Sequence, residues 1–322
     1  MPNIITHTIF AQEVEKEMNH SYYRHLIQQH KEEYYIGTNG PDFLFFYGFY
    51  PFWKKQEETI PRIGTKFHHG QVNQFYACAI QQYLLQKPGV VKDAMGSYLI
   101  GHYLHWQLDS IMHPYVVYKT GFKDPMSKYY HHRMESMMDT IVLKRMRNTT
   151  IKQYRTFEIC QCSPNSVEAI SNIYVPCTEV CFQKKIDSHV IEKALKDWQW
   201  AQRMLYDPSS LKYYSIKLYE WFVHKPWLFS GNIVRAKEDT TYDVMNDAHD
   251  AWQHPCTGSV ARESVMDLLE RAKKEARIGL PLLFDAMSGK GEKALLAFIG
   301  DKTYANGISD SLPRQYKKVI YE

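Results

Sequence analysis

The chain contains no apolar run approaching the 18 residues that a membrane-spanning helix needs, so no transmembrane segment is predicted. Its opening residues, Met-Pro-Asn-Ile-Ile-Thr-His7, show neither the basic stretch nor the apolar run of a secretory signal, and a cytoplasmic location is the expectation. Cysteine is sparse. The six (78, 160, 162, 177, 181 and 256) form no dense framework, which makes reduced thiols the default. Cys160-x-Cys162 followed by Cys177-x-x-x-Cys181 offers four thiolates, but the spacing is irregular for a zinc ribbon. A charge excess is also missing. The 39 Lys and Arg are interspersed with 35 Asp and Glu for a net +4, so there is no electrostatic footprint for duplex DNA or RNA. Repeats and low-complexity tracts are absent.

What remains is the composition of an ordinary globular protein. The chain has 322 residues, 44% apolar and 23% charged, enough for a substantial core. Aromatics reach 14%, and histidine is unevenly spread: eleven of the fifteen lie in the first 135 residues. Apolar residues at three- and four-residue steps predict helices near 7–18, 21–34, 65–86, 92–118, 128–147, 187–205, 211–224, 260–288 and 291–299. Breakers separate them at Gly37-Thr-Asn-Gly-Pro41, Lys87-Pro-Gly89, Ser163-Pro-Asn165, Asp207-Pro-Ser-Ser210 and His254-Pro255. The expected fold is all-α, a multi-helix bundle over 1–206 with a multinuclear site in its interior. A helical C-terminal region, 207–322, is expected to pack on it, with a soft boundary near Asp207-Pro208.

Two of these helices carry the chemistry. Gly101-His-Tyr-Leu-His-Trp-Gln-Leu-Asp-Ser-Ile-Met-His113 sets His105, Asp109 and His113 at four-residue steps. At about 100° per residue they fall within about 80° of one helix face. His131 and Glu135 repeat the step on the next helix. An apolar face interrupted each turn by His or Asp is costly unless something binds there, and Zn²⁺ takes such nitrogen and oxygen ligands. A lone histidine on an apolar helix is more commonly a hydrogen-bonded core residue, and His102, about 60° round from His105, is read that way. Three further positions supply suitable atoms: His7, Asp42 in the turn Gly40-Pro-Asp42, and His68 or its neighbour His69. Of His131 and His132, only His131 stands four residues from Glu135. Eight ligands are too many for one tetrahedral zinc. A di-iron bundle would need two Glu-x-x-His pairs, and only Glu17-x-x-His20 fits.

The ordered series His7, Gly40-Pro-Asp42, His68, His105-x-x-x-Asp109-x-x-x-His113-Pro and His131-x-x-x-Glu135 resembles the zinc-dependent phospholipase C family, whose site plan is similar to that of the zinc single-strand nucleases. The likeness covers roughly residues 1–150 and extends more loosely to Asp243-Val-Met-Asn-Asp-Ala-His-Asp-Ala-Trp-Gln-His-Pro255. It implies Asp42, His68, His105 and Asp109 around one zinc and His113, His131 and Glu135 around a second. In secreted members a third zinc uses a His with the amino group of an N-terminal Trp. Here His7 matches the His, but the chain begins Met1-Pro2, so two zincs are expected and the third is left open. The implied activity is hydrolysis of a phospholipid or other phosphodiester by metal-activated water, with Asp42 binding or orienting that water as ligand or general base. Peripheral membrane contact is compatible with this. The alternatives are a zinc nuclease and a non-catalytic protein that keeps the fold to bind lipid or a partner. Phe43-Leu-Phe-Phe-Tyr-Gly-Phe-Tyr-Pro-Phe-Trp53 holds eight aromatics in eleven residues, expected mostly to pack the core with a few facing the cleft. The run Glu270–Arg277 reads as a solvated helix face.

Overall fold

A computed structural model describes residues 4–49, 59–309 and 311–321. The helices run α1 (Ile4–Glu17), α2 (Ser21–Gln29), α3 (Lys31–Gly37), α4 (Thr59–His69), α5 (Val72–Leu85), α6 (Val90–Thr120) and α7 (Ser127–Arg147). They continue through α8 (Thr156–Ile159), α9 (Pro164–Phe182), α10 (Ser188–Leu205), α11 (Leu211–Phe222), α12 (Val265–Met287) and α13 (Glu292–Ile299). Short 3-10 turns cover Asp42–Phe46 and Ser230–Asn232. Among the described residues the only sheet is an antiparallel pair of two-residue strands, with Trp252 opposite Ala261. No described helix is long and apolar enough to cross a membrane.

The axis of the fold is α6. Every residue from Ala94 to Thr120 is buried, because α1, α3, α7, α9 and α12 all pack around it. A helix enclosed on every side has no wet face, so the polar side chains it carries must find partners inside the core. One hydrophobic cluster runs from Ile4 to Tyr304 and takes in residues of α12 and α13 as well as of α1–α10. The closest crossing is α3 on α6. A Cβ on Gly37 would lie 2.3 Å from the Tyr98 carbonyl oxygen, and one on Gly101 would lie 2.3 Å from that of Tyr34. Two glycines facing each other let the backbones meet there. Farther along, Pro114 cannot bond the Ser110 carbonyl, and Gly307 fills the space beside it.

The differences from the sequence expectation have local causes. The expected helix 21–34 is broken at His30, whose φ and ψ of −122° and 49° are not helical. The expected helix 65–86 divides at Gly70-Gln71, with Gln71 in the left-handed region. The helix expected from 260 begins at Val265 instead, after a capping box between Ser264 and Asp267; residues 260–261 form the second strand. Helix α9 was not expected at all. It starts with Ser163 as N-cap and Pro164 in its first turn, where proline is well tolerated, and it continues through Pro176. Residues 223–264, 300–309 and 311–321 are mostly irregular rather than helical.

Candidate metal centre

Five elements converge on the buried face of α6. That helix contributes His105, Asp109 and His113, each almost fully buried. Helix α7 adds His131 and Glu135, α4 adds His68 from its last turn, and α1 adds His7 from its first. Asp42 opens the 3-10 turn after α3. All eight positions therefore lie in or beside one interior cluster. Donor atoms fall into three triads, each with its ligand atoms within 4.8 Å of one another: His7, His105 and Asp109; Asp42, His68 and His105; and His113, His131 and Glu135.

Asp109 is the hinge of the set. Its Oδ1 stands 3.1 Å from His7 Nε2, and its Oδ2 stands 3.4 Å from His105 Nε2, 3.7 Å from His113 Nδ1 and 3.9 Å from His68 Nε2. Asp42 Oδ1 is 3.0 Å from His68 Nε2 and 3.8 Å from His105 Nε2. Glu135 Oε1 is 2.7 Å from His131 Nε2 and 4.0 Å from His113 Nε2. His7 thus forms a triad with His105 and Asp109, and shares His105 with the triad of Asp42 and His68. The N-terminal residues Met1 and Pro2 lie outside the described residues.

These groups fit a cation. Both ring nitrogens of His7 and of His105, and both oxygens of Asp109, are buried without a hydrogen bond of acceptable geometry. Such groups are expensive unless something else satisfies them. Their nitrogens and oxygens are close but aimed past one another. Elsewhere the second nitrogen is fixed by a backbone carbonyl: His68 Nδ1 pairs with Gly64 O at 2.8 Å and His113 Nδ1 with Tyr304 O at 2.8 Å. Carbonyl partners set the tautomer that leaves Nε2 as the ligand atom. Burial pushes His105, His113 and His131 well below the ordinary histidine range, so these rings are neutral, the form that binds metal. Burial alone would also lower His68, but Asp42 and Asp109 outweigh it and hold its pKa above the usual value. Burial would raise Asp109, yet the facing His105 and His7 rings hold it at about 2. Asp42 is raised by burial.

The neighbours of these positions are separated by exposure. His69 is exposed on α4 while His68 turns inward. His132 is half exposed, and its Nδ1 stays 3.9 Å from Glu135. His102 is fully buried, with Nδ1 3.0 Å from the Tyr76 hydroxyl and its ring stacked on Phe75. The four cysteines proposed as a thiolate set do not appear among the candidate ligand groups, and all six cysteines are free thiols.

Four further groups support the centre. Asp139, one turn beyond Glu135 on α7, accepts Ile5 N at 3.0 Å, Thr6 N at 2.8 Å and Thr6 Oγ1 at 2.7 Å. Burial raises its pKa to about 6, so it is ionised at neutral pH and caps the first turn of α1 beside His7. Asp139→Ala is expected to lower stability by about 2–4 kcal/mol in thermal melts and to weaken metal binding through His7. An unchanged melting temperature would remove Asp139 from this role. Gly40, at φ 50°, lies on the His105 ring, where a Cβ would come within 2.2 Å of Cδ2. The Tyr304 carbonyl and Arg314 arrive from the far end of the chain.

The cluster opens onto a cleft of about 570 Å³. Asp42, His68, His113, His131 and Glu135 are among the residues that line it, and Phe45, Phe46, Val117, Trp198 and Leu205 contribute apolar surface. Arg314 faces it from the C-terminal segment, with Nε donating to Asn306 Oδ1 at 2.8 Å and Nη2 to Ala305 O at 3.1 Å. The aromatic stretch divides as its chemistry suggests: Phe43 is buried in the core, Phe45 and Phe46 face the cleft, and Phe49 is exposed. Tyr50, Phe52 and Trp53 lie outside the described residues. The chain matches no protein-family model, no curated protein and no solved structure.

Proposed function

We propose that this chain is a zinc-dependent phosphodiester hydrolase that cleaves phospholipids in the manner of a phospholipase C. The observation that carries the reading is a buried centre of imidazoles and carboxylates bordering a cleft whose lining combines apolar side chains with the Arg314 guanidinium. Neutral imidazoles with hard carboxylate oxygens suit zinc. Bound there, zinc would lower the pKa of a coordinated water and neutralise phosphoryl oxygens. His105 and Asp109 would hold one ion with His7 or with Asp42 and His68, and His113, His131 and Glu135 would hold another.

The remaining work belongs to side chains of the cleft. Asp42 combines a metal-facing oxygen with a position in the cleft lining, so it orients the attacking water and accepts its proton. The Arg314 guanidinium is preset by two acceptors and presents its remaining donor edge to a phosphate. Phe45, Phe46 and Trp198 receive the first methylenes of an acyl chain and exclude water from the leaving oxygen's surroundings.

The test is metal analysis followed by turnover. Protein purified without chelator is expected to carry at least two zinc ions per chain and to hydrolyse a phosphatidylcholine substrate. Chelation should abolish turnover and added Zn²⁺ should restore it. Bound zinc without turnover on phospholipid or single-stranded nucleic acid would overturn the catalytic reading in favour of a binding protein.

A further inference from the structure

Helix α11 turns its apolar face outward. Leu211, Tyr214, Leu218, Trp221 and Phe222 are 72%, 61%, 58%, 67% and 66% exposed. At about 100° per residue these five fall within about 100° of arc. Tyr219 and Phe229, both exposed, extend the patch. Single exposed apolar residues need no explanation, but a contiguous aromatic surface of this kind marks an interaction site.

The helix is not loosely attached. Its opposite face buries Tyr213 and Glu220. The Glu220 carboxylate accepts Phe229 N at 2.8 Å, Ser230 N at 2.8 Å and Ser230 Oγ at 2.6 Å, tying the following loop to the helix. Glu220 is also the only acidic residue between Leu211 and Phe229. The cations take the other side: Lys212 and Lys217 border the apolar arc on its two flanks, and Lys225 is exposed just beyond the helix. A rigid face of Trp, Tyr, Leu and Phe edged by lysine, with its one acid turned inward, is complementary to an anionic phospholipid surface.

Its place in the fold adds direction. The chain enters α11 after Leu205 and leaves it through the Ser230–Asn232 turn, and both Leu205 and Asn232 line the cleft above the metal centre. We propose that the outward face of α11 docks the protein on anionic phospholipid membranes, placing the cleft mouth at the headgroup layer. The inference deepens the phospholipase reading, but docking is measured without turnover, so the two can fail separately.

The experiment is co-sedimentation of the full chain with vesicles of phosphatidylcholine and phosphatidylserine in equal parts, beside vesicles of phosphatidylcholine alone. Wild type is expected to bind the mixed vesicles more tightly than the neutral ones. Leu218→Glu with Trp221→Glu should weaken binding more than tenfold, since each loses a buried apolar side chain. Lys217→Gln and Lys225→Gln should each cost roughly fivefold on the mixed vesicles and little on the neutral ones. Leu218, Trp221 and Lys225 are exposed and Lys217 is half-buried beside the Trp227 ring, none of them near the candidate ligands, so metal content should hold and melting temperature should change little. Asp109→Ala should bind vesicles as wild type does. Wild type that fails to bind mixed vesicles overturns the proposal, as does binding that survives the Leu218/Trp221 double change. A dimer in sedimentation velocity that the double change dissolves would overturn it too, by assigning the face to a second copy of the chain.

Discussion

Asp109→Ala is expected to strip the centre of most of its metal and to reduce phosphodiester turnover on the order of a thousandfold or more. Its two oxygens lie within 3.9 Å of four candidate ligands, His7, His68, His105 and His113. Removing a peripheral ligand such as His131 leaves two members of one triad, whereas removing Asp109 takes a ligand from one triad and the shared counter-charge from the others. The imidazoles facing the carboxyl hold it below the ordinary carboxylate range, so the charge is present at neutral pH. Metal per chain by mass spectrometry is the measurement, with exposed His69→Ala as the companion that should leave it unchanged. Full metal content in Asp109→Ala would mean that the ions, if bound, sit elsewhere.

Gly101→Ala should be among the most damaging small substitutions in the chain. Alanine normally stabilises a helix interior by about 1 kcal/mol over glycine. Here the added carbon would lie 2.3 Å from the Tyr34 carbonyl oxygen and 2.9 Å from the Thr38 backbone nitrogen, atoms that cannot rotate away. Helices α3 and α6 must then separate, at a cost of about 3 kcal/mol or more, so the propensity gain is overwhelmed. The damage reaches the centre as well, since α3 leads into the turn that places Asp42. Gly96→Ala is the control. Its neighbours, at 3.1–3.2 Å, are ends of the Leu26, Tyr83 and Met287 side chains, which can shift. A melting-temperature loss in Gly101→Ala no larger than in Gly96→Ala would sink the close-crossing argument.

The parts of the centre that could be read from the sequence are those with a period. His105, Asp109 and His113 repeat at the helical step, as do His131 and Glu135, and a repeated polar interruption of an apolar face is conspicuous. Asp139 continues that second series by one more step, so its position was visible although its partners in α1 were not. The remaining supports leave no side-chain trace. The Gly64 and Tyr304 carbonyls hold His68 and His113 through backbone atoms, and any residue type supplies those. Arg314 comes from about two hundred residues beyond His113, and only tertiary packing brings it to the cleft. The fold follows the same division. The long helices α6 and α7 were predicted within a few residues, being bounded by clear breakers. Helix α9 was missed because Pro164 and Pro176 read as breakers, although Cys177 and Cys181 stand at the helical four-residue step, and its burial against α5 and α6 supplies what propensity does not. The outward face of α11 also reads as an ordinary amphipathic stripe until the structure shows which side is wet.

Helix α6 carries three of the eight candidate ligands on one uninterrupted rod, with no loop between them. At 1.5 Å of rise per residue, His105 and His113 are held about 12 Å apart along the axis, with Asp109 midway. The rod therefore acts as a ruler for the centre. Loops around the cleft can lengthen or shorten without disturbing it, but one residue added between 105 and 113 would rotate everything beyond it by about 100° and carry His113 out of reach. Length variation should accordingly be tolerated in the exposed loops and not within those nine positions.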